Sequence, residues 1–283
     1  MEEGSVILGI SLAILASLNL NVGKGIQKWK VKILGKGRAM FSSEHRADFV
    51  VWIIGVALTA SCTVIYSLAL KFTDKASLVS SFNGVGMIGL VIFAWLVIKE
   101  RIGWQEIGGA ALVLVGTTVM GYFDKPLAGG QHFDLRPFVF CLLGILVVFG
   151  PLAAYSLKTD KMFGFTFGAI PGILIGTGMI LGDMALVESG NDFAGQLKNP
   201  YPYLALLAGL GALSITQLAF WRSKAMVVVP TINSFVILAP VVIEYFTFGT
   251  VLETAQYAGI AAIIAGVVML TATEKQDRLE QGS

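Results

Sequence analysis

Six of the polar side chains inside apolar runs, where polar chemistry is expensive, are candidates for a site: Ser80, Asn83, Asp183, Thr231, Asn233 and Glu244. The run "PTINSFVILAPVVIEYF", residues 230–246, holds Thr231 and Asn233 near one end and Glu244 near the other. In hydrocarbon an amide or a carboxylate costs several kcal/mol unless something pairs with it. Side chains of this kind either knit helices together or touch something that crosses. Asn83 and Asn233, with Ser80 and Thr231 just before them, are the candidate substrate contacts. Asp183 and Glu244 are the only acids well inside the apolar runs, and each lies roughly 10–12 Å outward of its segment's centre. They are candidate substrate contacts and metal ligands at an outer vestibule. Magnesium keeps several waters and needs only one or two protein carboxylates, so two acids facing water would suffice. They would equally attract an organic cation or relay a proton. No resident cofactor is expected; Mg²⁺ would be cargo.

Enzyme chemistry has little support. His45 and His132 fall in connecting segments, and no Ser–His pairing or His-rich metal set lies in the apolar runs. Gly182-Asp183 has no partner acid and lacks the Gly-x-Gly-Asp spacing of an intramembrane aspartyl protease. No soluble stretch is long enough to carry an ATPase motif, so any transport would be secondary or channel-like.

The elements that must position these residues follow from composition. Of 283 residues, 55% are hydrophobic and only 13% charged, about half the charged fraction of an ordinary globular chain. Mean hydropathy is +0.78. These values predict an all-α polytopic membrane protein, with the lipid bilayer as its main partner and no role in nucleic-acid binding. Cys62 and Cys141 both lie in apolar runs and imply no disulfide framework. The first residues lack the basic region of a secretory signal, so 5–23 is expected to be a retained helix.

About nine apolar segments approach membrane-spanning length: 5–23, 49–70, 76–98, 102–123, 137–157, 162–187, 201–221, 226–249 and 254–273. A backbone inside lipid must satisfy its own hydrogen bonds, so these are helices. The sequence predicts a basic cytoplasmic loop over 24–48, opening with Lys24, Lys28, Lys30 and Lys32. Alternating the sides puts fifteen Lys and Arg on the face of that loop and five on the other, out of 20. That bias places the first face, and the tail 274–283, in the cytoplasm of a plasma or inner membrane. The N-terminus would then lie outside. A homodimer is compatible with this class.

The chain also repeats itself. Shifted by 150 residues, "ERIGWQEIGGAALVLVGTTVM" (100–120) falls on "TVLETAQYAGIAAIIAGVVML" (250–270). Gly109 then meets Gly259, Gly116 meets Gly266, and Asn83 meets Asn233. Five crossings separate each segment from its counterpart. An odd number makes the repeats inverted, with a site expected near the midplane between them. The first repeat would be 1–123 and the second 137–273, four helices plus five. Asn83 and Asn233 fall about 6 Å either side of the midplane. Gly164, Gly168, Gly172 and Gly176 recur every four residues and predict a close-packing face.

The stretch "ALKFTDKASLVSSFNGVGMIGLVIFAWLVIKERIGWQEIGGAALVLVGTTVM" resembles the repeat of the drug/metabolite transporter (EamA-like) superfamily. Lys99-Glu100-Arg101 stands at its characteristic turn. Within that superfamily "ASLVSSF", "LVIKERI", "GTTVM" and "SITQLAFWRSKAM" are most similar to the NIPA-type branch. The resemblance implies a secondary transporter or facilitator moving Mg²⁺ or another cation through a central cavity between the repeats. Export of a small organic metabolite or drug is the alternative that the same fold allows.

Overall fold

The computed structural model describes residues 3–73, 82–123, 135–189, 193–247, 249 and 251–281, and every regular element among them is helical. The longer helices, in chain order, are α1 (Glu3–Lys30), α2 (Arg46–Thr73), α3 (Val85–Phe93, continued by a π-helical turn to Ile98) and α4 (Trp104–Tyr122). They are followed by α5 (Leu135–Thr159), α6 (Phe163–Glu188), α7 (Tyr201–Arg222), α8 (Ala225–Thr247) and α9 (Thr254–Gln281). Seven described helices are long and apolar enough to cross a membrane. The chain is therefore an all-α, polytopic integral membrane protein. α3 is shorter, the apolar stretch Val85–Ile98, and α4 has 19 residues.

The helix ends explain the tight connections. α3 stops where Lys99 adopts a left-handed conformation (φ 62°). α4 starts with the Glu106 carboxylate accepting the Gly103 N–H at 2.7 Å, which satisfies one of the orphan donors of its first turn. Asp160 and Met162, also at positive φ, reverse the chain between α5 and α6.

Packing separates central from peripheral helices. Of the membrane-length windows, 67% of α6 and 61% of α8 are buried within the protein, against 6% for α2 and 6% for α5. α2 and α5 therefore turn most of their apolar surface to lipid. The glycine stripe accounts for the centre. A Cβ added at Gly172 would lie 2.6 Å from the Ile232 carbonyl oxygen, and one at Gly176 would lie 2.6 Å from Pro240. Gly168 faces Val228 and Thr231 in the same way. α6 and α8 thus run side by side in the same direction with backbones nearly touching. Dispersion at such separations is what holds helices together in lipid, where no hydrophobic drive acts between them.

A second close approach joins α4 to α9. A Cβ at Gly109 would meet the Gly266 carbonyl oxygen at 2.9 Å, and one at Gly116 would meet that of Gly259 at 2.6 Å. Around this seam Met87 and Ala94 of α3, Val113 of α4, Met226 of α8 and Ile263 of α9 form one buried cluster.

One expectation from the sequence is corrected here. The segment 24–48 is not a loop at its start. α1 continues to Lys30, and a tighter 3₁₀ stretch, Val31–Phe41, follows it with a kink at Gly37 (φ 54°). Density of positive charge in the sequence hid a helical register. Lys24, Gln27, Lys28 and Lys30 are helical residues, and Lys24 and Gln27 are buried.

Candidate functional site

One polar layer crosses the middle of the helix assembly, and α1 supplies most of it. Ser17, Asn21, Lys24 and Gln27 recur at spacings of three and four, so they share one face of the helix. All four are buried, with Lys24 5% exposed and Asn21 1%. A helical lysine leans back toward the helix N-terminus, which carries its ammonium away from the water-facing end of α1. There Lys24 Nζ donates to Asn233 Oδ1 of α8 at 2.8 Å. Asn233 Nδ2 donates in turn to Asn21 Oδ1 at 2.8 Å, and Asn21 Nδ2 to the Ser17 carbonyl at 3.0 Å. Ser17 Oγ accepts the Gly86 N–H of α3 at 2.8 Å. The chain of bonds therefore runs α8–α1–α3. Asn233 is three residues from the midpoint of α8 (Ala225–Thr247), which puts the layer about 4.5 Å from the centre of that helix.

The charge in this layer is a cation without a matching anion. No carboxylate among the described residues forms an ion pair with Lys24. Its titratable neighbour is the Cys62 thiol of α2. A lone ammonium in a low-dielectric interior is costly unless paired.

One turn further along α1, a second polar set stitches α1 to α2 and α7. Gln27 Nε2 donates to Thr59 Oγ1 at 2.8 Å and to the Gly55 carbonyl at 3.2 Å. Gln217 Nε2 donates to Gln27 Oε1 at 2.7 Å, and Trp52 Nε1 donates to Gln217 Oε1 at 3.0 Å. These groups satisfy one another, so this set serves to hold the three helices together.

The end of the assembly beyond Gln27 is closed by side chains that cap backbone ends. Lys28 Nζ donates to the Phe220 and Ser223 carbonyls, at 2.5 and 2.6 Å, at the C-terminus of α7. The Glu100 carboxylate accepts the Ala225 and Met226 N–H groups, at 2.8 and 3.3 Å, at the N-terminus of α8. Both placements complement the partial charges of helix ends. Lys224 Nζ bridges the Arg101 carbonyl and Glu106 Oε1, each at 3.0 Å. Burial pushes the Glu100 carboxyl up from the ordinary carboxylate range, and its two backbone donors and the Lys28 ammonium pull the other way.

The candidates from the sequence separate clearly. Asn233 is in the central layer. Thr231 is fully buried beside it, but its hydroxyl donates to the Val227 carbonyl of its own helix at 2.7 Å and its methyl packs on Gly168. Asn83 lies in a 3₁₀ turn, Phe82–Gly84, just before α3; its side chain, and Ser80 altogether, lie outside the described residues. Asp183 and Glu244 are half-buried near the C-terminal ends of the parallel helices α6 and α8, close to the layer formed by Ile180 and Ile243. Glu244 is eleven residues beyond Asn233, about 16 Å along the helix, so acids and asparagine belong to different levels. Among the described residues no three His, Cys, Asp or Glu side chains are grouped so as to hold a metal ion. The residues that sequence reasoning passed over are Ser17, Asn21, Lys24, Gln27 and Gln217. For the four on α1 the signal was their polar stripe, masked by the basic run that follows it; for Gln217 it was an amide inside the apolar run of α7.

No family model, curated protein or solved structure matches the chain.

Proposed function

We propose that the chain is a secondary transporter with the architecture of the drug/metabolite transporters, passing a small solute beside the Lys24–Asn233–Asn21 layer. The observation that carries this reading is the buried ammonium of Lys24 near mid-depth, hydrogen-bonded to Asn233 and lacking a carboxylate partner among the described residues. Intramembrane ionisable groups are expensive and mark solute or ion paths.

Nine crossings in two inverted repeats fit this function. Support comes from the α4–α9 seam. Its two close approaches, Gly109 with Gly266 and Gly116 with Gly259, become one another when each residue is exchanged for its counterpart 150 positions away. A pseudo-twofold axis between α4 and α9 requires that reciprocity. Moving Lys24 from the loop into α1 leaves fourteen of the fifteen basic residues on the face assigned to the cytoplasm, against five opposite. The orientation, N-terminus outside and C-terminus in the cytoplasm, keeps its support.

On substrate, the central layer favours the organic solute over Mg²⁺. A divalent cation about 4 Å from a fixed ammonium is repelled by about 8 kcal/mol at an effective dielectric of 20. Asn233 therefore cannot serve a cation while Lys24 is charged. Magnesium would rest on Glu244 and Asp183 alone, at the other level.

The test is flux in liposomes that contain only this protein. Radiolabelled solutes, neutral, anionic and cationic, and Mg²⁺ read by an enclosed fluorescent dye are compared with protein-free vesicles. Saturable flux of an organic solute without Mg²⁺ flux is the expected outcome. Saturable Mg²⁺ flux that Glu244→Gln abolishes would overturn the choice of substrate. No saturable flux of any probe would overturn transport itself.

A further inference from the structure

We infer that Lys24 is the counter-charge for the solute, and that the solute is a small organic monoanion whose carboxylate docks on the Lys24 ammonium beside the bonded pair Asn21 and Asn233. This rests on the transport reading above and names its substrate class.

Three features point to a carboxylate. The first is charge. The layer holds one ammonium, buried and without an acidic partner among the described residues. A single negative charge neutralises it, whereas a dianionic phosphate would leave a buried charge of the opposite sign. The second is hydrogen-bond capacity. An ammonium has three N–H donors, and the hydrogen bond from Lys24 to Asn233 Oδ1 uses one of them. A carboxylate offers two acceptor oxygens and no donor, which complements the remaining two donors. The third is the setting. Asn21 and Asn233 are bonded to each other, so the amides that flank the ammonium are held in place by α1 and α8 together. A solute that binds here touches both helices at once and can bias how they sit relative to each other. The lysines that hold the helix ends together use more of their donors within the protein: Lys28 meets two carbonyls of α7, and Lys224 meets the Arg101 carbonyl and Glu106, each at 3.0 Å.

The experiment uses the full-length chain in liposomes with radiolabelled lactate and benzoate as probes. Inorganic phosphate, glycerol, choline and Mg²⁺ are the comparisons. The wild type should move at least one of the two carboxylates saturably. Lys24→Gln should lower kcat/KM for it by about 10- to 100-fold, the range for loss of a charge-assisted hydrogen bond, and Lys24→Arg should restore most of it. Asn233→Asp guards against misfolding. It places a permanent carboxylate beside the ammonium, so it should fold, melt at a higher temperature than wild type, and lose carboxylate flux to a similar degree. Carboxylate flux that survives both Lys24→Gln and Asn233→Asp overturns the assignment. If phosphate, glycerol, choline or Mg²⁺ moves saturably and neither carboxylate does, the monocarboxylate falls and transport stands. If no probe moves, both fall.

Discussion

Gly172 gives the sharpest test of the packing that holds the central helices. The perturbation is a single methyl group, Gly172→Ala. Its Cβ would lie 2.6 Å from the Ile232 carbonyl oxygen and 2.7 Å from Phe235 Cβ. Comfortable carbon–carbon contact begins near 3.5 Å, so α6 and α8 must separate locally by about 0.8 Å. Rotation offers no escape, because Gly168 and Gly176 present the same face one turn either side and are nearly as close to α8. Overpacking of this kind costs about 1–3 kcal/mol. Across a helix pair held chiefly by dispersion it also weakens neighbouring contacts. A loss of about 2 kcal/mol lowers the folding equilibrium constant about 30-fold. The assay is thermal unfolding in detergent, read by fluorescence-detected size exclusion. Gly182→Ala is the internal control. It lies on the same helix, yet nothing would come within 4 Å of an added Cβ there. Gly172→Ala should melt several degrees below wild type and Gly182→Ala within about a degree of it. Equal melting temperatures for the two variants would refute the reasoning.

Glu100→Ala removes the acceptor for the Ala225 and Met226 N–H groups and should destabilise the protein by about 1–2 kcal/mol in the same melting assay, with Glu100→Gln recovering most of it. Because burial raises the folded-state pKa of Glu100, ionising it opposes folding. Wild type should therefore lose stability relative to Glu100→Gln as pH rises from the ordinary carboxylate range through that raised pKa, and a constant difference between pH 4 and pH 8 would refute the sign. Gln27→Leu removes the acceptor of the Gln217 Nε2 donor and the donor that meets the Thr59 hydroxyl. A loss of about 1–3 kcal/mol is expected in the same assay. A single cysteine at Ser43, in a background with Cys62 and Cys141 replaced, should resist impermeant maleimide in intact cells and react after permeabilisation. Labelling of intact cells would reverse the orientation.

How much of this was legible in the sequence depends on which physical signal each feature leaves. Long apolar runs are forced by bilayer thickness, so α2 and α4 to α8 fall within a few residues of where hydropathy puts them, whereas α3 begins at Val85 after a 3₁₀ turn and α9 continues past residue 273 to Gln281. The glycine stripe on α6 was legible for a related reason, since a four-residue period has one geometric meaning on a helix, a single face. Asn233 was legible because an amide inside an apolar run is costly unless it is bonded, so its presence alone marks a polar contact. Glu100 was visible only as part of a turn, and its role as the cap of α8 depends on a tertiary contact that no local pattern encodes.

Lys24 was hidden for a reason that bears on function. Hydropathy treats a lysine as a stop, and five more cations follow it within fifteen residues, so the expected helix ends at residue 23, seven residues short of Lys30, and the charge is assigned to water. What distinguishes Lys24 from the cations after it is register together with depth. It continues the face of Ser17 and Asn21 and meets Asn233 near the centre of α8; Lys28, one turn on along the same face, reaches the carbonyls at the C-terminus of α7, and Lys30 reaches Asp48 at the start of α2, at 2.5 Å. A basic residue at the end of an apolar segment should therefore be tested against the polar periodicity before it. When the residues three and seven positions upstream are also polar, as Asn21 and Ser17 are here, the helix continues and the charge points inward. Moving this one residue from loop to helix changes the sign of the charge at the candidate site. With Lys24 in water, the chain's intramembrane charges are the acids Asp183 and Glu244, and a cation is the natural solute. With Lys24 bonded to Asn233, the middle of the assembly is positive, and that is why an anion is the solute proposed.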